Sequence, residues 1–365
     1  WWDCARRRRL PSAGTGCAAG RALSGTSTGA GAAGPPVLAL RHAVDDALRE
    51  LAADPAIAAD APVIVACSGG PDSLALAGAV AWCAPRAGRV VHAVIVDHGL
   101  QVDSANVAEA AAQACRALGI ANARIVRVQV PTGAGGPEAN ARTARYAALD
   151  AAAADLGAAA VLLAHTREDQ AETVLLGLAR GSGARSLSGM RERNGRWVRP
   201  LLQLPRATVH EAAAELLAPT GLAPWRDPHN DDPAYARVRV RHWLDTLGDD
   251  LGPGVVAGLA RSADLLRDDA DALDALAEQA HMQVRADGAG GREELDIAAL
   301  TDLPRAVRTR VLRAWCIALG CPADALTRDH VLSVEALVTD WHGQGEVSLP
   351  GGVGVVRAYG RLTPT

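Results

Sequence analysis

The run Ser68-Gly69-Gly70-Pro71-Asp72-Ser73 places two hydroxyls, two glycines and a carboxylate within six residues. Gly69 and Gly70 let the backbone turn sharply and come close to a ligand. The hydroxyls of Ser68 and Ser73 are donors for phosphate oxygens. Asp72 is the odd member, because a carboxylate beside phosphates repels them unless a metal bridges the two. The chemistry that suits this set is a nucleoside triphosphate held with Mg²⁺. A Walker A loop needs Gly-Lys-Ser/Thr, and every one of the 37 Lys or Arg side chains in this chain is arginine.

Further along are three more polar clusters. Asp97-His98-Gly99-Leu100 follows an apolar run and places a carboxylate and an imidazole side by side. His165-Thr166-Arg167-Glu168-Asp169-Gln170-Ala171-Glu172 puts Asp169 and Glu172 three apart, on one helix face. Acids at a helix start are either partners of the helix dipole or a site for a cationic substrate group or Mg²⁺. Glu138, Arg142, Arg145 and Tyr146 share one side of a helix. They read as an exposed Glu–Arg pair or as cations for phosphates. Gly181-Ser182-Gly183 is either a plain helix stop or a loop over the site.

The elements that must position these residues alternate. Val63–Ala66 is a strand running into the Ser-Gly-Gly turn and an Ala/Leu-rich helix. The helix N-terminus adds free N–H groups and a favourable dipole for anions. Strands follow at 90–96, 125–130 and 160–164, with helices at 104–118, 138–156 and 171–179. Val37–Ala53 has helical spacing and precedes them. Apolar strands alternating with helices predict an α/β fold with a doubly wound parallel sheet. Ligands of such sheets lie outside the carboxyl ends of the strands, and the clusters at 68–73, 97–98 and 165–172 all fall there.

Past Gly183 a short strand is expected at Trp197–Leu202, then a helix from Arg206. Pro224 to Asp232 is a turn-rich linker. Helices are expected at 235–247, 254–286, 304–319 and 327–339, and a hairpin around Pro350-Gly351-Gly352. The predicted domains are a disordered extension at 1–36, the α/β domain at 37–232, and a smaller, mainly helical domain at 233–365 that ends in the hairpin. The extension holds Arg6–Arg9 and a Gly/Ala/Ser/Thr-rich stretch, a composition that cannot bury a core. An upstream start or a fragment boundary is its expected origin. The net charge of −4 requires any nucleic-acid contact to come from a local patch. Arg237, Arg239, Arg241 and His242 form one candidate patch, and Arg305, Arg308, Arg310 and Arg313 another. The seven cysteines contain no C-x-x-C pair, which argues against a disulfide framework or a Cys-based metal site. No apolar run has the length of a membrane span, so a cytoplasmic setting with no membrane partner is expected.

The strand–turn–helix at 63–76 resembles the PP-loop of the N-type ATP pyrophosphatases, which split ATP into AMP and pyrophosphate. S-G-G-P-D-S, V-D-H-G-L, E-A-N-A-R-T-A-R-Y, A-H-T-R-E-D-Q-A-E-T, L-A-R-G-S-G, R-P-L-L and W-R-D-P-H-N occur in this order. Together they resemble the bacterial tRNA(Ile)-lysidine synthases from about Val37 onward. That resemblance implies ATP-dependent ligation of L-lysine to C2 of cytidine 34 in tRNA(Ile) with a CAU anticodon, by way of an adenylated cytidine. The modified base pairs with A, so codon reading changes from AUG to AUA. It further implies ATP on Ser68, Gly69, Gly70, Pro71, Asp72, Ser73, Asp97 and His98, with Mg²⁺ on Asp72 and Asp97. Asp72, Asp169 and Glu172 are then the catalytic candidates, and His165 is a weaker one. Arg142, Arg145, Asp169, Glu172, Arg199, Arg237 and Arg241 are the candidates for lysine or tRNA, and a homodimer is an expected assembly. Glu168, Thr166 and His229 depart from the usual family pattern. A PP-loop thiolase and a non-catalytic nucleotide-binding module are the alternatives.

Overall fold

Val63, Ile64 and Val65 and, three α-helices further along the chain, Ala160, Val161 and Leu162 are all fully buried, which is what the centre of a sheet covered on both faces demands. In the computed structural model β1 (Val63–Ala66) pairs in parallel with β2 (Val91–Asp97) on one side and β4 (Ala160–Leu162) on the other. Outside β2 lies β3 (Asn122–Arg127). Beyond β4 comes the short parallel β6 (Trp197–Val198), and the antiparallel β5 (Arg193–Asn194) forms the edge. The order is β3-β2-β1-β4-β6-β5. The winding reverses between β1 and β4, which is where a ligand crevice is expected in such sheets. The structure describes residues 33–365 apart from Leu100, Val102, 132–135, Ser182, 228–231 and 289–291, and only the backbone of residues 136–138. Most of the expected N-terminal extension, with His229 and Asn230, lies outside the described residues.

Helix α1 (Pro35–Ala53) buries Val37, Leu40, Val44, Leu48 and Leu51, a stripe at helical spacing. Its first turn takes in Pro35 and Pro36, which the sequence reading had assigned to the extension; proline suits the first helical position. It packs with α2 (Pro71–Cys83) and α7 (Arg206–Leu217) on one side of the sheet. Helix α2 is buried all round, and a β-carbon on Gly78 would come 2.9 Å from Leu216 of α7. Helix α4 (Gly136–Leu156) covers the other face through Leu149, Ala152 and Ala153 against Ile64, Val94 and Val161. Between β2 and β3 runs α3 (Ser104–Ala117).

The chain leaves β4 through α5 (Arg167–Ala179) and the single turn α6 (Ala184–Leu187). Two later helices, α8 (Ala236–Leu251) and α9 (Val255–Val284), return to α5. Val240 and Leu244 of α8 close on Ala171, with Leu175, Leu176, Val255 and Leu259 around them. The remainder builds its own core on Trp315, Val311, Leu312, Val334 and Leu337. Its helices are α10 (Ile297–Asp302), α11 (Arg305–Ala318) and α12 (Arg328–Thr339).

The expected C-terminal hairpin is part of a larger sheet. β9 (Val347–Leu349) and β10 (Val353–Ala358) form it around Gly351 and Gly352. β11 (Arg361–Pro364), β8 (Glu293–Asp296) and β7 (Arg285–Asp287) extend it to five antiparallel strands. Leu295 and Leu362, buried from neighbouring strands, anchor the added part. Arg308 is a correction to the second expected basic patch. It is buried, donates to Glu335 at 3.0 Å and to the carbonyl of Leu303 at 2.9 Å, and so joins α10, α11 and α12. Arg305, Arg310 and Arg313 are likewise tied, to Glu335, to Asp274 and to the carbonyls of Leu326 and Ala323.

Candidate active site

The turn from β1 into α2 is closed by one hydroxyl. Ser73 Oγ donates to the carbonyl of Gly70 at 3.0 Å and accepts from the backbone N–H of Ser68 at 3.2 Å and from its hydroxyl at 3.3 Å. Gly69 adopts φ +83°, and a β-carbon there would lie 3.1 Å from Ala111 of α3. Both facts demand glycine at this position. Gly70 precedes the first turn of α2 in extended backbone, and Pro71 fills the first helical position. The free N–H groups of that turn face outward from the carboxyl end of β1. From the far linker, Trp225 N–H donates to the Gly69 carbonyl at 2.9 Å and fixes the segment over the turn.

A cavity of about 360 Å³ opens at this end of the sheet. Ser68, Asp72, Ser73, Asp97, His98, Arg145, Tyr146, His165, Trp225 and Asp227 contribute to its wall. The sequence-predicted Ser68, Asp72, Ser73, Asp97, His98 and Arg145 are thus brought together. A larger open depression of about 650 Å³ lies between β3 and α4. It is lined mostly by alanine, valine and proline, and its Arg124 and Asp155 pair with each other at 2.7 Å. The convergent polar and titratable side chains therefore lie in the smaller cavity.

Inside it the two carboxylates differ. Asp97 is buried, which by itself raises its pKa, but the Gly99 amide, the Ser104 hydroxyl and Arg127 outweigh burial and hold it below the usual range. Its Oδ1 accepts from Gly99 N–H at 3.0 Å and its Oδ2 from Arg127 at 3.1 Å. Both oxygens are engaged in shaping the loop after β2. Asp72 is pushed the other way: burial raises its pKa, against the pull of His210 and Arg206. His210 Nε2 stands 3.0 Å from Asp72 Oδ1. The contact is an ion-pair approach without hydrogen-bond direction, and Oδ1 is a buried acceptor without a donor.

The basic groups are equally specific. Arg145 lines the cavity and makes no hydrogen bond or ion pair among the described residues. Burial and the nearby charges of Arg142 and Arg237 lower its pKa. That arrangement is short of an anion. Arg142 lies over the Tyr146 ring, 4.9 Å from its centroid, and donates to the Tyr146 hydroxyl at 3.2 Å. His98 and His165 each present a buried Nδ1 with no partner. Burial pushes His165 down to about 3, so its imidazole is neutral at physiological pH.

Asp169 and Glu172 do not line this cavity. Asp169 Oδ2 accepts from the Thr166 backbone N–H at 2.7 Å and its hydroxyl at 3.0 Å, which fastens the start of α5. Its Oδ1 accepts from Arg206 at 2.9 Å. Burial raises the Asp169 pKa, but Arg206 and Thr166 together carry it below the usual range. Glu172 is 1 % exposed, and its Oε1 accepts from Arg206 at 3.3 Å and from Arg241 at 3.1 Å. Arg199 is buried, donates to the Arg191 carbonyl at 2.9 Å, and leaves its Nε unpaired.

Arg206 and His210, one helical turn apart on α7, were missed from the sequence, where they read as ordinary helix residues. Glu168 and Thr166, noted as departures, have defined places here. Glu168 Oε2 accepts from the Arg206 backbone N–H at 2.8 Å and caps α7, while Thr166 holds Asp169. Gln170 is clamped to both backbone groups of Met190, at 3.0 and 2.7 Å. Apart from the local Thr166–Asp169 cap, these contacts join segments distant in sequence, so only the fold reveals them.

Residues 40–246 match the family described as PP-loop domain, and residues 295–363 match the TilS substrate binding domain. In fold, 63 % of the chain superposes with a TM-score of 0.50 on 80 % of the U34-tRNA thiolase NcsA from Methanococcus maripaludis, at 19 % identity. The tRNA(Ile)-lysidine synthase of Thermobifida fusca is 57 % identical over 87 % of this chain and 94 % of its own length. That of Salinispora tropica is 52 % identical over 90 % and 96 %, and that of Streptomyces coelicolor 54 % over 82 % and 84 %. Identity at this level over nearly the whole of such relatives shows that the chain belongs to the tRNA(Ile)-lysidine synthase family.

Proposed function

We propose that the chain uses ATP to replace the C2 oxygen of cytidine 34, in tRNA(Ile) with a CAU anticodon, by the ε-nitrogen of L-lysine. In the first step the C2 oxygen attacks the α-phosphorus and pyrophosphate leaves. In the second the lysine ε-amine, having lost a proton, forms a C–N bond at C2 and AMP departs with the oxygen. The observation that carries this reading is the cavity at the carboxyl end of β1. It combines a phosphate-type turn, an arginine that pairs with no acid among the described residues, and a buried carboxylate whose Oδ1 has only the His210 imidazole beside it.

The turn at Ser68–Ser73 and the first N–H groups of α2 hold the phosphates in this reading. Arg145, with Arg142 and Arg237 behind it, offsets their charge as pyrophosphate leaves. Asp72 fits Mg²⁺, because its buried Oδ1 has only the His210 imidazole beside it and no directed hydrogen bond. Asp97 fits less well, since both its oxygens are engaged. The metal would supply charge neutralisation at the phosphates. His165, held neutral, offers a ring nitrogen to the base or the ribose rather than a charge. On α5, the Glu172 carboxylate, held between Arg206 and Arg241, is the group assigned to the lysine ammonium and its proton, and Asp169 positions the start of the helix. Cytidine 34 must leave the stack of the anticodon loop to enter.

A cytoplasmic setting and a homodimer complete the reading. No helix among the described residues is long and apolar enough to cross a membrane. The relatives favour lysidine formation over the thiolase alternative. The test omits lysine: ATP labelled at the α-phosphorus should leave adenylate on the tRNA, and adding lysine should release it as AMP. Absence of any tRNA-bound adenylate, with active protein, contradicts the proposed order of steps.

A further inference from the structure

Tyr359 has φ +50° and is the only non-glycine among the described residues in the left-handed region. With Gly360, at φ +77°, it makes the two-residue turn between β10 and β11, closed by the pair Ala358 and Arg361. A turn with two positive φ angles favours Asn-Gly or Gly-Gly. A bulky side chain at its first position is locally disfavoured, and here packing returns nothing, because Tyr359 is fully exposed (104 %). The turn is nonetheless braced. The Gly360 carbonyl accepts from Ile297 N–H at 3.0 Å, and Arg361 donates to the Asp287 carbonyl at 3.1 Å and to Glu294 at 3.0 Å. The fold thus holds an aromatic ring in water on a rigid support.

The charge around it points to what the ring meets. Residues 295–363, the segment matching a substrate binding domain, carry seven arginines and seven acidic residues. Six of those arginines are tied to carboxylates or main-chain carbonyls, namely Arg305, Arg308, Arg310, Arg313, Arg357 and Arg361. With as many acids as arginines the segment carries no formal net charge, and most of its guanidiniums are engaged by the fold, so its hold on a polynucleotide calls for a source besides phosphate attraction. An exposed aromatic ring supplies one, because every unpaired base has a face that stacks on it. We propose that Tyr359 is a stacking platform for an unpaired base of the tRNA substrate. This rests on the function proposed above.

The test compares the full-length chain with Tyr359→Asn, Tyr359→Gly and Tyr359→Phe, measuring affinity for a fluorescent tRNA(Ile) transcript bearing CAU, thermal stability, ATP binding and sedimentation. Asn and Gly suit the turn, so both variants should be at least as stable as the wild type while binding the transcript about tenfold more weakly, with ATP binding unchanged. Tyr359→Phe should bind like the wild type. Unchanged tRNA affinity in the Asn and Gly variants overturns the inference and leaves the proposed function standing. So does a Phe variant as weak as the Asn variant, or a change in sedimentation alone, which would make the ring a contact between copies of the chain. Asn and Gly variants that fail to fold also overturn it. A wild-type chain that does not bind the transcript removes the proposed function and this inference together.

Discussion

Arg206 of α7 donates to Asp169 of α5 at 2.9 Å and reaches Glu172 on the next turn at 3.3 Å. One guanidinium thus ties the acid pair of α5 to the helix that also carries His210 toward Asp72. Burial lowers the Arg206 pKa by itself, but Asp169, Glu172, Asp72 and Glu168 outweigh it and raise it. Substituting Arg206→Met leaves Asp169 without its partner and Glu172 with Arg241 alone. The expected loss is about 3 kcal/mol of stability, as for a buried ion pair with one side removed. Urea unfolding measures it, and a loss below about 0.5 kcal/mol would show that the pair is screened like a surface bridge.

Asp72 behaves oppositely. Its carboxylate is disfavoured by burial in the folded state. Asp72→Asn should keep or slightly raise the melting temperature at pH 7 while abolishing tRNA-dependent pyrophosphate release. The raised pKa makes the wild-type disadvantage shrink as pH falls into the carboxylate range. Measurable turnover in the variant would contradict the place given to Asp72.

Asp97 supplies the contrast. Its pKa is held below the ordinary 3.8, so its stabilisation is complete above that value and is lost as pH falls through the lower, folded-state pKa. Asp97→Asn should cost about 2 kcal/mol at pH 7, and the gap from wild type should narrow at acid pH. Parallel unfolding curves for the two proteins at every pH would rule this out.

His165 gives a pH signature of its own. With its pKa near 3 against an ordinary 6.5, the unfolded chain takes up a proton between those values that the folded chain refuses. Stability should fall as pH is lowered through that window, and less so in His165→Asn. In NMR spectra the His165 ring should not titrate between pH 5 and 8; a midpoint near 6.5 would contradict its burial.

The strands were legible because both faces of β1, β2 and β4 are apolar, and the Ser-Gly-Gly turn because glycine at Gly69 has a backbone reason. The stripe Val37, Leu40, Val44, Leu48 and Leu51 gave α1 by its period alone. β7 and β8 were not legible. Arg285-Ala286-Asp287 and Glu293-Glu294-Leu295-Asp296 are polar strands, paired by tertiary contact and anchored mainly by Leu295. In the site, the polar clusters at the strand ends were readable as clusters. Their partners Arg206, His210 and Trp225 come from distant segments with no local pattern, so only the sheet reveals that they meet. Spacing also placed Arg308 on a basic face, whereas it points inward to Glu335 because α10, α11 and α12 need a buried donor there.

The most direct measurement is transfer of labelled L-lysine, with ATP, to a tRNA(Ile) transcript bearing CAU. The expected result is one lysine per tRNA at cytidine 34, with AMP and pyrophosphate released in equal amount. No label in that tRNA, or label entering an initiator methionine tRNA with the same anticodon instead, would contradict it.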